Sequence, residues 1–516
     1  MQEANECLLE FAPTPSLGKN VDMNLSDLLA ESAGRHPTKK ALVVPGHGEH
    51  PTVTYERLNE EVDRVAVALV GQGVTPGDRV AIAMHNTPEF LFAYFGTLRA
   101  GGVVVPLNIM LTATETRKIL DDSQAKVLFV SDAFPHEAST EAGSVQKVFR
   151  TSAWGELGKG GDPFASISRE DDDLAVLAYT SGTTGEPKGA MLTHGNLLSN
   201  LRQQMAIPEA HVTDDDVLFL ALPLFHIFRL NVTLGLLVLN GATGVLVERF
   251  EPVPALRLIQ DHRVSVLFGA PTMYTAWVAV PGAEQYDLTS VRLAISGAAP
   301  LPPDVLRDFK GIFGVDIYEG YGLTETAPTV ASNRMTSKPR PGSIGMPLPE
   351  IELRVVDENG DEVEVGDPGE IVVRGPNVFK GYWNRPEDTE RAFVDGWFFT
   401  GDIAVKDEDG YLYLVDRKRD LIIVSGFNVF PSEVEAALIV NPKVAEAAVV
   451  GVPHPYTGEA VKAYVVLEDG NSVTEAELSA DVETRLARFK APQSIEIVDS
   501  LPHLLTGKVL RRALRT

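Results

Sequence analysis

YTSGTTGEPKGAMLTHGN, residues Tyr179 to Asn196, is the stretch on which the fold turns. An apolar run, Leu174 to Tyr179, leads into it and reads as a buried strand. Ser181, Gly182, Thr183, Thr184 and Gly185 follow, then Lys188, Gly189 and a second short apolar run, Ala190 to Leu192. Thr193 is placed to cap a helix that starts near His194. The loop is therefore expected to join two strands rather than to open a helix. Glycines let backbone N–H groups turn inward, hydroxyls add donors, and a lysine adds charge: together they cradle a phosphate anion. The spacing is not that of a Walker P-loop, because Pro187 stands five places after Gly182.

Outward from this loop the chain alternates strands and helices. Leu25 to Arg35 reads as a helix. A clearer one runs from Thr54 to Val70, with Leu58, Val62, Val65 and Leu69 on one face. Strands are expected at Arg79 to Met84, Val103 to Pro106 and Val127 to Ser131, separated by helices from Thr87-Pro88 to Ala100 and near Glu115 to Asp122. Val264 to Phe268 and Leu293 to Ser296 are short apolar strands, each followed by a Gly-Ala turn. This alternation predicts βαβ units and a mostly parallel sheet, with ligands at the carboxyl ends of the strands. After about 335 the texture changes. Ile351 to Val356, Gly369 to Arg374 and Tyr411 to Val415 are strand-like and predict a small antiparallel unit. The charged run Asp416 to Asp420 reads as a linker. A compact α/β piece follows, with a helix from Ser432, strands Ala447 to Val452 and Val461 to Leu467, and a helix near Glu475 to Phe489.

Composition narrows the function. With 516 residues the chain is too long for one core. Its 71 acidic against 45 basic residues leave a net charge of −26, which excludes the basic footprint of a nucleic-acid binder and gives no attraction to anionic lipid. A single cysteine, Cys7, rules out an internal disulfide framework and fits a reducing compartment. Glu3 and Glu6 break any signal-peptide pattern. The most apolar region, Leu218 to Val247, is interrupted by Pro223, His226, Arg229 and Asn231, so no integral membrane segment is expected. The expected location is the cytoplasm. The oligomeric state stays open, a homodimer included.

Five further stretches carry chemistry. They are Leu222-Pro223-Leu224-Phe225-His226, Ser296-Gly297-Ala298-Ala299-Pro300, Glu319-Gly320-Tyr321-Gly322-Leu323-Thr324-Glu325, Gly396-Trp397-Phe398-Phe399-Thr400-Gly401-Asp402 and Thr506-Gly507-Lys508-Val509-Leu510-Arg511-Arg512. Small residues allow a backbone to approach a flat ring. A lone glutamate suits Mg²⁺, which takes one or two carboxylates and phosphate oxygens. An aspartate is a natural acceptor for a diol. Taken singly, His226 is more often a satisfied core histidine, and Asp416 to Asp420 a solvated charge run.

With the opening loop, these stretches resemble, in order and over nearly the whole chain, the adenylate-forming superfamily: acyl-CoA synthetases, firefly-type luciferases and peptide-synthetase adenylation domains. The resemblance is strongest to fatty acyl-CoA ligases. It implies an α/β fold with a large, multi-lobed N-terminal body (residues 1–418) and a small mobile C-terminal α/β domain (residues 419–516). The body would hold βαβ sheets and the small antiparallel β unit. Thr180, Ser181, Gly182, Thr183, Thr184, Gly185 and Lys188 would embrace the ATP phosphates. Gly297, Ala298, Ala299, Glu319, Gly320 and Gly322 would lie along adenine and ribose, with Tyr321 stacked on the ring. Thr324 would bond the α-phosphate, Glu325 would hold Mg²⁺, and Asp402, supported by Arg417, would accept the ribose hydroxyls. The hinge falls at Arg419. Ser425, Gly426 and Asn428 would line the pantetheine channel for CoA, and Lys508 would be the catalytic lysine. His226, Phe228, Arg229 and Leu230 would meet the acid.

The implied reaction joins a small-molecule carboxylic acid to CoA through an acyl-adenylate, with AMP and pyrophosphate released. Phe228, Leu230, Val266, Phe268, Met273 and Tyr274 suggest an apolar pocket and a medium- to long-chain fatty acid. The alternatives are an aryl-acid, 4-coumarate-like CoA ligase, an enzyme loading a separate carrier protein, and a nucleotide-binding scaffold without catalysis. Arg229 stands where the resemblance expects Gly or Ala. Three roles are open to it: reaching the pocket mouth by snorkelling, filling the pocket, or pairing with a polar group on the substrate.

Overall fold

The computed structural model describes residues 23–46, 51–134, 142–158, 163–181, 187–208, 211–417, 420–424, 427–454, 458–486, 490–503 and 509–515. The chain forms two compact units. The first comprises Met1–Ala206, His211–Phe250 and Tyr382–Asn384, and the second Ile207–Ala210, Glu251–Gly381 and Arg385–Thr516.

The first unit contains the expected parallel sheet. Its strands lie in the order Lys147–Arg150, Val127–Val130, Arg79–Ala83, Val103–Pro106, Leu174–Ser181, Pro187–Thr193. All neighbours run parallel except the last two, which form an antiparallel hairpin. The helix Tyr55–Gly71 starts where Thr54 accepts the Arg57 N–H, and it buries the expected face of Leu58, Val62, Val65 and Leu69. Against it lies Pro88–Arg99, every residue of which is buried. A Cβ at Gly96 would stand 2.5 Å from Val65, so glycine sets how closely these two helices approach. Also in this unit, Val217–Leu220, Thr243–Leu246 and Lys40–Val43 pair in parallel, with Thr52–Thr54 antiparallel to the last.

In the second unit Val266–Gly269, Leu293–Ser296 and Ile317–Gly322 run parallel, and Thr329–Ser332 adds antiparallel to them. The expected antiparallel unit is present, with Glu352–Val356, Pro368–Arg374, Trp397–Lys406 and Leu412–Arg417 paired in that order. Its longest strand, Trp397–Lys406, is not among the expected strands, and its first residues enter the sequence analysis only as a motif. The charged run is likewise not all linker, because strand pairing continues to Arg417. The C-terminal piece sets helices Pro431–Ile439 and Glu475–Glu483 against strands Val444–His454 and Gly458–Leu467, around Val449, Val465, Leu438 and Leu478. The second of these helices ends at Glu483, short of the expected Phe489. Among the described residues, no helix is long and apolar enough to cross a membrane.

Candidate active site

In the first unit the phosphate-loop motif sits on a β-hairpin. Register runs from Leu174 opposite Thr193 to Ser181 opposite Pro187, so the loop joins two strands as its glycines and flanks required. Gly182, Thr183, Thr184 and Gly185 lie outside the described residues, as does the Ser181 side chain. Thr180 pairs in register with Lys188, and its hydroxyl donates to the Lys188 carbonyl at 3.5 Å. Lys188 Nζ stands 5.3 Å from the centre of the Tyr382 ring, a cation–π contact. Past the hairpin, Thr193 and Asn196 form a reciprocal cap on the helix His194–Met205. His194 is buried, accepts the Leu25 N–H on Nδ1, and is held neutral, its pKa pushed down to about 3 mainly by burial.

Segment Tyr382–Asn384 anchors the hairpin stem, and sequence reasoning missed it. Trp383 N–H donates to the Gly189 carbonyl at 2.8 Å, and its indole N–H donates to the Asp122 carbonyl at 3.1 Å. Tyr179 Oη donates to the Asp122 carboxylate at 2.5 Å. The dipeptide Tyr382-Trp383 was an available signal, since large aromatic side chains bury much apolar area and a tryptophan N–H seeks a partner when buried.

The segment expected to meet the acid departs from a regular helix. His226 is half-buried, and its carbonyl accepts the N–H groups of Arg229 and Leu230. Phe228–Thr233 is a short π-helix, a form that concentrates at functional positions. Arg229 is only 1% exposed, which corrects the snorkelling option. Its guanidinium lies 5.5 Å from the Phe228 ring centre, with Nη1 donating to Thr233 Oγ1 at 3.5 Å. Leu230 is buried and Phe228 half-buried.

In the second unit the nucleotide motifs gather at strand ends. Ser296 and Glu319 are register partners on adjacent parallel strands. Gly297 N–H donates to the Gly269 carbonyl, and Ala298 takes a left-handed φ of 73° in the turn beyond, with Ala299 half-buried after it. Ser296 Oγ is buried and makes no hydrogen bond among the described residues, an orphan that suits a polar ligand at this strand end. Glu319 accepts the Leu301 N–H at 3.1 Å. Burial pushes its carboxyl up to about 7, partly offset by the backbone N–H groups of Leu301 and Gly342. A Cβ at Gly320 would meet the Ala331 carbonyl, and one at Gly322 would overlap the Pro328 backbone.

Tyr321 Oη donates to Asp402 Oδ2 at 2.7 Å, and both residues are buried. Asp402 is aimed by its strand: Thr400 Oγ1 accepts its N–H, and Glu370 accepts the N–H of Gly401. Its backbone pairs in register with Arg417, whose side chain lies outside the described set. Thr324 and Glu325 are half-buried on a single 3₁₀ turn that Phe379 N–H ties down through the Glu325 carbonyl. Glu325 offers the hard oxygen donor that Mg²⁺ prefers, and a cation arriving with a polyphosphate needs no more than one or two such groups from protein. Tyr274, expected in the acid pocket, is instead core: it packs on Trp277 and Phe309 and donates to the Ile295 carbonyl.

Further along, Ile422–Val424 and Phe427–Val429 form a hairpin whose tip, Ser425-Gly426, lies outside the described residues, as do Arg419, Lys508 and the Asn428 side chain. The stem of the Lys508 segment is described, and His503 bridges Val509 across it.

Two family signatures cover most of the chain. The AMP-binding enzyme family matches residues 29–383, and the AMP-binding enzyme C-terminal domain matches residues 433–508. A long-chain-fatty-acid–CoA ligase of Bacillus subtilis (strain 168) is 35% identical over 95% of this chain and 94% of that protein. A feruloyl-CoA synthase of an Amycolatopsis species is 40% identical over 94% of this chain and 99% of that protein. The crystal structure of ATP-bound MatB from Rhodopseudomonas palustris superposes with a TM-score of 0.88 at 37% identity, covering 96% of this chain and 98% of that one. With its motifs in order, two matching signatures and full-length relatives, the chain belongs to the AMP-binding enzyme family, within the adenylate-forming superfamily.

Proposed function

We propose that this chain is an ATP-dependent, AMP-forming acyl-CoA ligase whose acid is a medium- to long-chain fatty acid. The observation that carries the nucleotide half is the Tyr321–Asp402 hydrogen bond, which joins the residue assigned to adenine and the residue assigned to ribose. In the first step a carboxylate oxygen of the acid attacks the α-phosphorus of ATP and pyrophosphate leaves. Thr180, Ser181, Gly182, Thr183, Thr184, Gly185 and Lys188 hold the phosphates, and Thr324 and Lys508 stabilise the charge that builds on the α-phosphate. Glu325 holds Mg²⁺, which when bound neutralises phosphate charge. In the second step the CoA thiol attacks the acyl carbonyl and AMP leaves with the electron pair, the thiol proton passing to solvent. Gly297, Ala298, Ala299, Glu319, Gly320, Gly322 and Arg417 complete the nucleotide contacts, and Ser425, Gly426 and Asn428 serve CoA. A body of residues 1–418 and a C-terminal domain of 419–516, hinged at Arg419, separate the two steps.

The acid assignment rests on Phe228 and Leu230 beside His226, and on the fatty-acid ligase relative. A second reading, an aryl acid of the hydroxycinnamate type, is supported by the 40% identity to a feruloyl-CoA synthase. Pyrophosphate release with saturated fatty acids and hydroxycinnamates, with and without CoA, tests both. The highest kcat/KM on a fatty acid is expected. A highest value on a hydroxycinnamate replaces the acid assignment, and no release with any acid removes the ligase reading.

A further inference from the structure

Arg511, three residues beyond Lys508, is held by a dense set of fixed contacts. Nη2 donates to both carboxylate oxygens of Glu435, at 3.0 and 2.8 Å, and Nε donates to Oε1 at 3.2 Å. Nη1 reaches Asp420 Oδ2 at 3.4 Å, and Arg515 takes the other oxygen of Asp420 at 3.0 Å. Glu435 Oε1 also accepts the Val449 N–H at 2.8 Å, which ties the helix Pro431–Ile439 to the strand Val444–His454. With side-chain exposures of 21% for Arg511, 15% for Glu435 and 12% for Asp420, the cluster is shielded from solvent more than a surface ion pair is. The planar fork of arginine matches two carboxylates at once, and a lysine ammonium does not.

Adhesion alone does not require this fork. The end of the chain is already held by Leu514, which packs with Ala448, Val450, Tyr464 and Leu501, and by Tyr464 Oη donating to the Leu514 carbonyl at 3.0 Å. The fork adds direction. Residues 503 and 509 flank segment 504–508: His503 bridges Val509, and Leu510 N–H donates to the Pro502 carbonyl at 2.7 Å. Arg511 fixes the outgoing stem of that segment. It fixes it to Asp420, the residue next to Arg419, and to the helix that follows.

We propose that Arg511 is a positioning residue for adenylate formation, holding the stem of the Lys508 segment in fixed relation to the end of the linker through Asp420 and Glu435. The proposal rests on the ligase reading and on the assignment of Lys508 to the first step.

The test compares full-length wild type, R511A, R511K and E435Q in two assays: pyrophosphate release on adenylate formation, and thioester formation from supplied acyl-AMP and CoA. R511A is expected to lower kcat of the first assay about 10- to 100-fold, the scale of a misplacement near 1 Å, with the KM for ATP within about twofold. Thioester formation stays within about twofold of wild type. R511K recovers only part of the loss, because it keeps charge without the fork. If R511A does not fold, E435Q decides, with the same split between the two assays expected. Equal losses in both assays, or an unchanged first assay, overturn the proposal. Wild type that releases no pyrophosphate overturns the ligase reading instead.

Discussion

Tyr321 and Asp402, 81 residues apart in the chain, are joined by a hydrogen bond of 2.7 Å from the phenol to the carboxylate. A carboxylate has about four acceptor positions, so this bond orients Asp402 and leaves it able to take further donors. Tyr321→Phe keeps the ring and removes the bond. The KM for ATP is expected to rise about fivefold, the worth of roughly one hydrogen bond, with kcat little changed. Asp402→Asn is expected to be the more damaging change. ATP saturation curves for both variants are the check, and curves that overlay wild type remove this pair from nucleotide binding.

Glu319 gives a pH dependence of stability with a definite sign. Burial raises its carboxyl from 4.5 to about 7. The folded state therefore binds a proton that the unfolded chain has already released between those values. The contribution to stability is fully present below pH 4.5 and is lost as pH rises through about 7. Glu319→Gln is expected to match wild type near pH 4.5 and to be more stable by about 1–3 kcal/mol above pH 7. Denaturant midpoints at pH 5 and pH 8 test this, and a constant difference across both would contradict it.

Lys508 and Gly426 are expected to fail in opposite ways. Lys508→Ala removes a charge that the proposed mechanism assigns to the first step only, so adenylate formation is expected to fall on the order of 10²–10³-fold while supplied acyl-AMP is still converted to thioester. Gly426→Leu places a side chain where the proposed mechanism needs room for CoA, so adenylate is expected to form and accumulate. Quenched-flow separation of acyl-AMP from acyl-CoA reads both, and equal damage to the two steps in either variant removes that assignment.

Arg229 is proposed to influence acid preference. It is buried on a π-helix three residues beyond the half-buried Phe225-His226 pair. Arg229→Gly is expected to shift relative specificity toward longer or bulkier apolar acids by about 1–3 kcal/mol, the usual worth of a pocket change. Measuring kcat/KM across saturated fatty acids, hydroxycinnamates and dicarboxylates gives the profile. Parallel profiles for the two proteins would show that Arg229 does not face the acid.

Much of this architecture is written locally in the chain. The parallel strands are short apolar runs between helices with strong caps, such as Thr112–Glu115 and Thr193–Asn196, and short-range signals of that kind survive folding unchanged. The strand Trp397–Lys406 also had its signal: Asp395 and Gly396, with φ of 49° and 79°, make a two-residue hairpin turn between Val394 and Trp397. Gly396 also opens the motif that runs to Asp402, so two signals overlap there. The docking of Trp383 on Asp122 spans 261 residues, and no local pattern carries such a contact. The burial of Arg229 runs against the general exposure of charged side chains, so composition pointed the wrong way. Among the assigned site residues, Asp402 opposite Arg417 is a register that two motif positions anticipated.

The helix Pro88–Arg99, buried along its whole length, also sets an order of opening. No face of it can detach into water without breaking packing against the neighbouring helix and strands, so its amide protons exchange only when the first unit opens as a whole. Pro386–Ala392, a helix with no buried residue, exchanges through local fraying. Slow deuterium uptake is thus expected of a segment that carries none of the assigned chemistry, and a ligand that slows it further reports tightening of the entire unit rather than contact with that helix.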